Sequence, residues 1–135
     1  MRARLVFSAL AIAAVGVGVV SIPSAAQADP SSYHPTLTAI DAPTPKAMRA
    51  ANGHLFVSTG NSVLVLSPAG VLEKTFTGMF GASGMDVSPD GDTVYVALSG
   101  SGEVAVVDAA ALTVTSTWTA GPCATSVALS GSTLF

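Results

Sequence analysis

Residues 84–100 read GMDVSPDGDTVYVALSG, a tight-turn signal between two apolar runs. Within Ser88-Pro89-Asp90-Gly91, proline sets φ for the second turn position, aspartate suits the third, and glycine accepts a positive φ at the last. The run after the turn, Val94 to Leu98, is apolar or small at every position, as in a strand buried on both faces. The segment therefore predicts a β-hairpin.

The hairpin is one of a series. HLFVST (54–59) matches TVYVAL (93–98), and SVLVLSP (62–68) matches EVAVVDA (103–109). LEKTFTG (72–78) matches VTSTWTA (114–120), and ASGMDVS (82–88) matches ATSVALS (124–130). DTVY (92–95) then matches STLF (132–135), and all offsets lie between 39 and 42 residues. Short strands repeating at a period of about 40 residues are the pattern of β-propeller blades. The expected fold is all-β, with about two and a half four-stranded antiparallel blades. Residues 46–77 make one blade, 83–119 a second, and 124–135 a truncated third. The first blade makes its hairpin at AANGH (50–54), where Asn52-Gly53 is a type I′ signal, and the third uses SGST (130–133). Thr113, Thr115, Thr117 and Thr119 alternate with Leu112, Val114, Ser116 and Trp118, the period of a half-exposed outer strand. Phe76 and Trp118 fall at equivalent outer-strand positions, where packing between blades is expected.

SPDGDTVYVAL followed by GEVAVVDAAALTV resembles the YVTN-type β-propeller repeat of secreted and surface-layer bacterial proteins. The resemblance spans about residues 36–135, with VYVAL where the name-giving YVTN would stand. It implies a propeller of several blades, and closed propellers need at least about four. The chain thus reads as the N-terminal part of a longer propeller. The alternatives are copies that associate to complete a ring, or an open stack. Residues 29–45 form an N-terminal segment in which 36–40 resemble a lone outer strand, of the kind that closes a propeller ring.

Residues 1–28 have the form of a secretory signal peptide. Arg2 and Arg4 give a basic start, Leu5 to Ile22 an apolar run, and Pro23 a break. Ala26 and Ala28 complete an A-x-A site, with cleavage between Ala28 and Asp29. A retained anchor is the alternative, since the run of about 18 residues is the minimum for a span. The mature product is expected to be secreted or associated with the cell surface, with no membrane contact after cleavage.

Beyond residue 28, three strong bases (Lys46, Arg49, Lys74) face eight acids, a formal charge of −5. That balance argues against nucleic acid and anionic membranes as partners. Cys123 is the only cysteine, so no internal disulfide forms, and it reads as a small buried strand residue.

No catalytic, metal or cofactor site is assigned. DVSPDG (86–91) starts like a calcium loop, but its twelfth position is Ala97 instead of a bidentate acid. His34 and His54 lack ligand spacing, and no G-x-S-x-G or P-loop is present. Asp86, near the end of an inner strand with Met48 and Val127 at matching places, is the one carboxylate an enzyme could use. The expected function is a binding or scaffolding module with an unidentified extracellular ligand or protein partner. The alternative is part of a propeller enzyme, a lactonase-like hydrolase or quinoprotein-type dehydrogenase, whose active-site residues lie elsewhere.

Overall fold

In the computed structural model, residues 42–135 are described. The signal segment, the Ala28–Asp29 junction, His34 and the outer strand expected at 36–40 lie outside them.

The described residues form β-strands and turns, with no helix among them. β1 (Ala47–Ala51), β2 (His54–Ser58), β3 (Gly60–Leu66), β4 (Leu72–Val87), β5 (Thr93–Leu98), β6 (Glu103–Asp108) and β7 (Thr113–Thr119) form one seven-stranded antiparallel sheet in chain order. β8 (Leu129–Ser130) and β9 (Thr133–Leu134) form a short second hairpin. It is extended by Ala128 and Phe135, which exchange N–H···O bonds of 2.9 and 2.8 Å.

β4 joins two copies of the same unit. Its first part pairs with β3, from Leu66↔Leu72 to Ser62↔Thr77. Its last part pairs with β5, from Ala82↔Leu98 to Val87↔Val94. Between the blade bounds read from the sequence, at 77 and 83, the chain runs on as one strand of 16 residues. The change of partner is made at Gly78 and Gly81, whose φ values are +74°. At Gly81 a Cβ would sit 2.2 Å from the Gly100 nitrogen, so the backbone approaches there closer than any side chain permits.

Both turns take the expected shape. Asn52 and Gly53 have φ of +45° and +75°, as a type I′ turn requires. Gly91 has φ of +81°, and its N–H donates to Ser88 O at 2.9 Å. The Ser88 hydroxyl donates to the Asp90 carboxylate and accepts from Thr93 N at 2.9 Å.

The two units pack through opposite faces. Phe56, Val63, Val65 and Phe76 of the first share one buried cluster with Met85, Val94, Val96 and Val107 of the second. Burying this set of aliphatic and aromatic side chains, at about 1.5–3 kcal/mol each for full burial, is the main stabilising contribution. A second cluster, Val57, Leu64 and Leu66 with Leu55 packed on it, covers the other face of the first unit. A third, Ala97, Val104 and Val127 with Tyr95 and Leu134, joins the second unit to the last hairpin.

Two expectations fail. β7 is exposed at all seven positions instead of alternating, because little chain lies against the flank it lends to the second unit. Cys123 is exposed, in a turn, with φ of +64°, and is not a buried strand residue. Pro122 before it has no N–H to give a ladder, so the chain leaves the sheet there.

Candidate functional site

Antiparallel order sorts the connections onto two ends of the sheet. The turns at 52–53, 67–71, 88–92 and 109–112 share one end. Those at 59–60, 78–81, 99–102 and 120–123 share the other.

At the first end, polar side chains tie neighbouring units together. Asn52 Nδ2 donates to Asp92 Oδ1 at 3.0 Å, linking the two hairpin turns. Lys74 Nζ donates to Leu112 O at 2.6 Å. Within the first unit, half-buried His54 places Nδ1 2.7 Å from Oε2 of the exposed Glu73. Asp108 caps its own turn, accepting from Ala110 N and Ala111 N at 2.9 and 2.7 Å. The Asp90 carboxyl is held below the ordinary carboxylate range, first by the Ser88 hydroxyl and then by Asp92 N. It remains on the surface as an ionised acceptor.

Asp86, the one carboxylate offered by the sequence for chemistry, is held by the backbone. Its Oδ2 accepts from Leu129 N at 2.7 Å, and its Oδ1 from Val87 N at 3.0 Å. Arg49 Nε stands 3.8 Å from Oδ1. The Leu129 bond is the largest cause holding its pKa below the usual range; burial opposes it, and Val87 N and Arg49 reinforce it. A carboxylate stabilised in its charged form is a poor general acid.

The register also corrects its equivalents. Arg49 pairs with Phe56, Asp86 with Tyr95, and Ala128 with Phe135. Arg49 and Ala128 therefore match Asp86, in place of Met48 and Val127, each one residue earlier. Three different side chains at one repeated position do not make a repeated catalytic group.

Ser58 is the buried polar joint. Its hydroxyl donates to Ser83 O at 2.6 Å and accepts from Ala47 N at 3.0 Å, crossing from the first unit to the second. Sequence reading missed it, and also the Asn52–Asp92 and His54–Glu73 pairs. Asn52 and Asp92 stand one repeat period apart, a signal that could have found that contact. Ser58 differs from Ala97, its counterpart in the repeat, and that contrast was the other usable signal.

Hollows open on the surface of the described residues. One of about 440 Å³ is lined by Met48, Ala50, His54, Leu55 and Pro68. A second, of about 580 Å³, lies between Val104 and Trp118 on one side and Val127, Leu134 and Phe135 on the other. A third, of about 470 Å³, sits at the other loop end among Ser99, Gly102, Pro122 and Cys123. Among the described residues, no three His, Cys, Asp or Glu side chains gather as a metal site would require. No described helix is long and apolar enough to cross a membrane.

The fold thus defines a class: an all-β chain of repeated antiparallel units, stacked face to face. No family model and no curated protein matches the sequence. Among solved structures it is similar to a chain of Kuenenia stuttgartiensis hydrazine synthase, with a TM-score of 0.60 and 22% identity. The match covers 70% of this chain and 28% of that one, so the chain spans less than a third of its neighbour's length. The likeness is one of fold.

Proposed function

We propose that the chain is a secreted repeat protein, built of β-propeller blades of the YVTN type, that serves as a binding or scaffolding module. The single observation that carries this reading is the engagement of Asp86. The carboxylate best placed for chemistry is held by two backbone N–H groups and stands beside Arg49, all within the repeat stack. Its role is structural, which takes away the residue on which an enzymatic reading of this chain would rest. What stays exposed for a partner is the turn end, with the carboxylates of Asp90, in the 88–92 turn, and Glu73, near the start of β4. Loops on a rigid scaffold are the usual place for recognition.

The partner is expected outside the cytoplasm, as a ligand or protein of the cell envelope. The test has two arms. The product released by the native host is sequenced from its N-terminus, and a start at Asp29 is expected. That product is then sedimented with host cell envelopes, alongside the Asp90→Ala/Glu73→Ala double variant. Co-sedimentation that the double variant lowers several-fold, with an unchanged circular dichroism spectrum, is the expected result. Retention inside the cell with Met1 intact, or envelope binding equal to that of an unrelated acidic protein, overturns the reading.

A further inference from the structure

Asn52 and Gly53 form the turn between β1 and β2, both exposed, with φ of +45° and +75°. The Asn52 side chain reaches out of its own unit: Nδ2 donates to Asp92 Oδ1 at 3.0 Å, in the equivalent turn of the second unit. An asparagine amide that precedes glycine is chemically labile. The next backbone nitrogen can attack its Cγ, and glycine offers that nitrogen with no side chain in the way. Gly53 meets the condition: a Cβ there would find no heavy atom within 4 Å beyond its chain neighbours. Among the described residues, no backbone carbonyl accepts from its N–H. Asn61, the other asparagine of the chain, is placed differently. Its successor Ser62 carries a Cβ and is paired with Thr77 in the sheet.

We propose that Asn52 is a self-modification site, where deamidation breaks the Asn52–Asp92 clip between the first and second units. The Gly53 nitrogen attacks Asn52 Cγ; the N–Cγ bond forms and the Cγ–Nδ2 bond breaks. Nδ2 leaves as ammonia, with the Gly53 N–H proton delivered through solvent. One water then opens the cyclic imide. Addition at Cγ gives aspartate. Addition at the main-chain carbonyl of residue 52 gives isoaspartate, whose backbone runs through the former side chain. Either product exchanges the amide donor for a carboxylate, which cannot donate to Asp92 and adds a like charge beside it. The clip also sets the pace. While Nδ2 is held on Asp92 the amide is kept from ring closure, so reaction proceeds from the molecules whose clip is open. The proposal is independent of the ligand.

Peptide mapping tests it. Both asparagines fall in one tryptic peptide, residues 50–74, so Asn61 is an internal control. The purified protein is incubated for weeks at mildly alkaline pH in heavy-oxygen water. Conversion is followed by mass and by an isoaspartate-specific methyltransferase assay. It should be confined to residue 52, carry one heavy oxygen and yield isoaspartate. Asp92→Ala should convert about fivefold faster, the gain in open clip from losing one hydrogen bond. Asn52→Asp should lower the urea midpoint of unfolding. Asn52→Asp/Asp92→Asn, which restores one donor and one acceptor, should recover it. An unconverted Asn52, equal conversion of Asn61, a rate indifferent to Asp92→Ala, or an Asn52→Asp midpoint equal to the parent's would each overturn the proposal.

Discussion

Phe76 and Trp118 occupy the same place in two copies of one unit, paired with Val63 and Val104 on equivalent strands. Phe76 is 8% exposed and Trp118 48%. Phe76 lies under the second unit and joins its core. Trp118 has Tyr95 beside it, with ring centroids 5.8 Å apart, and the start of a third hairpin across a hollow. The residue type and the register are the same in kind; the neighbour differs. Burial in a stacked repeat thus belongs to the interface between units, as expected when each unit cannot cover its own faces.

Four experiments break or sharpen that comparison. The largest effect is expected at the repeated aromatic position. Phe56→Ala should lower unfolding free energy by about 3–5 kcal/mol, the usual result for a fully buried ring. Phe135→Ala, measured by urea titration at low protein concentration, should change it little. Equal losses would mean that exposure in the single copy is the wrong guide to the stack.

Next comes the crossover between units. Gly81→Ala combines a φ of +74° with a Cβ 2.2 Å from the Gly100 nitrogen. A loss of about 2–3 kcal/mol is expected from strain of this kind. A neutral result by the same titration would show that β4 bends elsewhere.

A smaller effect belongs to Asp86. Its folded-state pKa is depressed, first by the Leu129 N–H. Its contribution is therefore present above the unfolded value, near about pH 4, and is lost as pH falls through the folded value. Asp86→Asn should cost about 1 kcal/mol at neutral pH. It should also flatten the acid limb of a stability profile measured by thermal melts from pH 6 to 2. An acid limb as steep as the parent's would assign that limb to other carboxylates.

The smallest effect is expected for Trp118→Ala, below about 1 kcal/mol, since a half-exposed ring loses little burial on truncation. Phe76→Ala is its partner measurement, and should cost about 3 kcal/mol. Similar values for the two would mean that Trp118 is covered in solution.

The strands were legible because their signals are local. Val94 to Leu98, with no polar side chain except the Tyr95 hydroxyl, and the SPDG and NG turns specify hairpins without help from distant residues. The period of about 40 residues placed the equivalent strands in both units. What was not legible needed contacts across units. The continuous β4 depends on Gly60 pairing with Ala82, which no local pattern announces. Cys123 followed its small apolar type in the reading, whereas the φ of Gly121 and the missing N–H of Pro122 decide its turn. Matching Asp86 to Met48 was a one-residue slip, and in a strand such a slip exchanges faces. Arg49 is the true counterpart, and it approaches Asp86 across the stack.

The sequence by itself determined the all-β class, the repeat length, the hairpin turns and the acidic, base-poor surface. These follow from side-chain alternation, from turn residues that need particular φ values, and from charge, all properties of near neighbours in the chain. Only the tertiary structure decided which apolar faces of the described units meet and that Asp86 is bound to Leu129 N. Those depend on which unit lies against which, and stacking energy is shared between surfaces that lie about 40 residues apart in the chain.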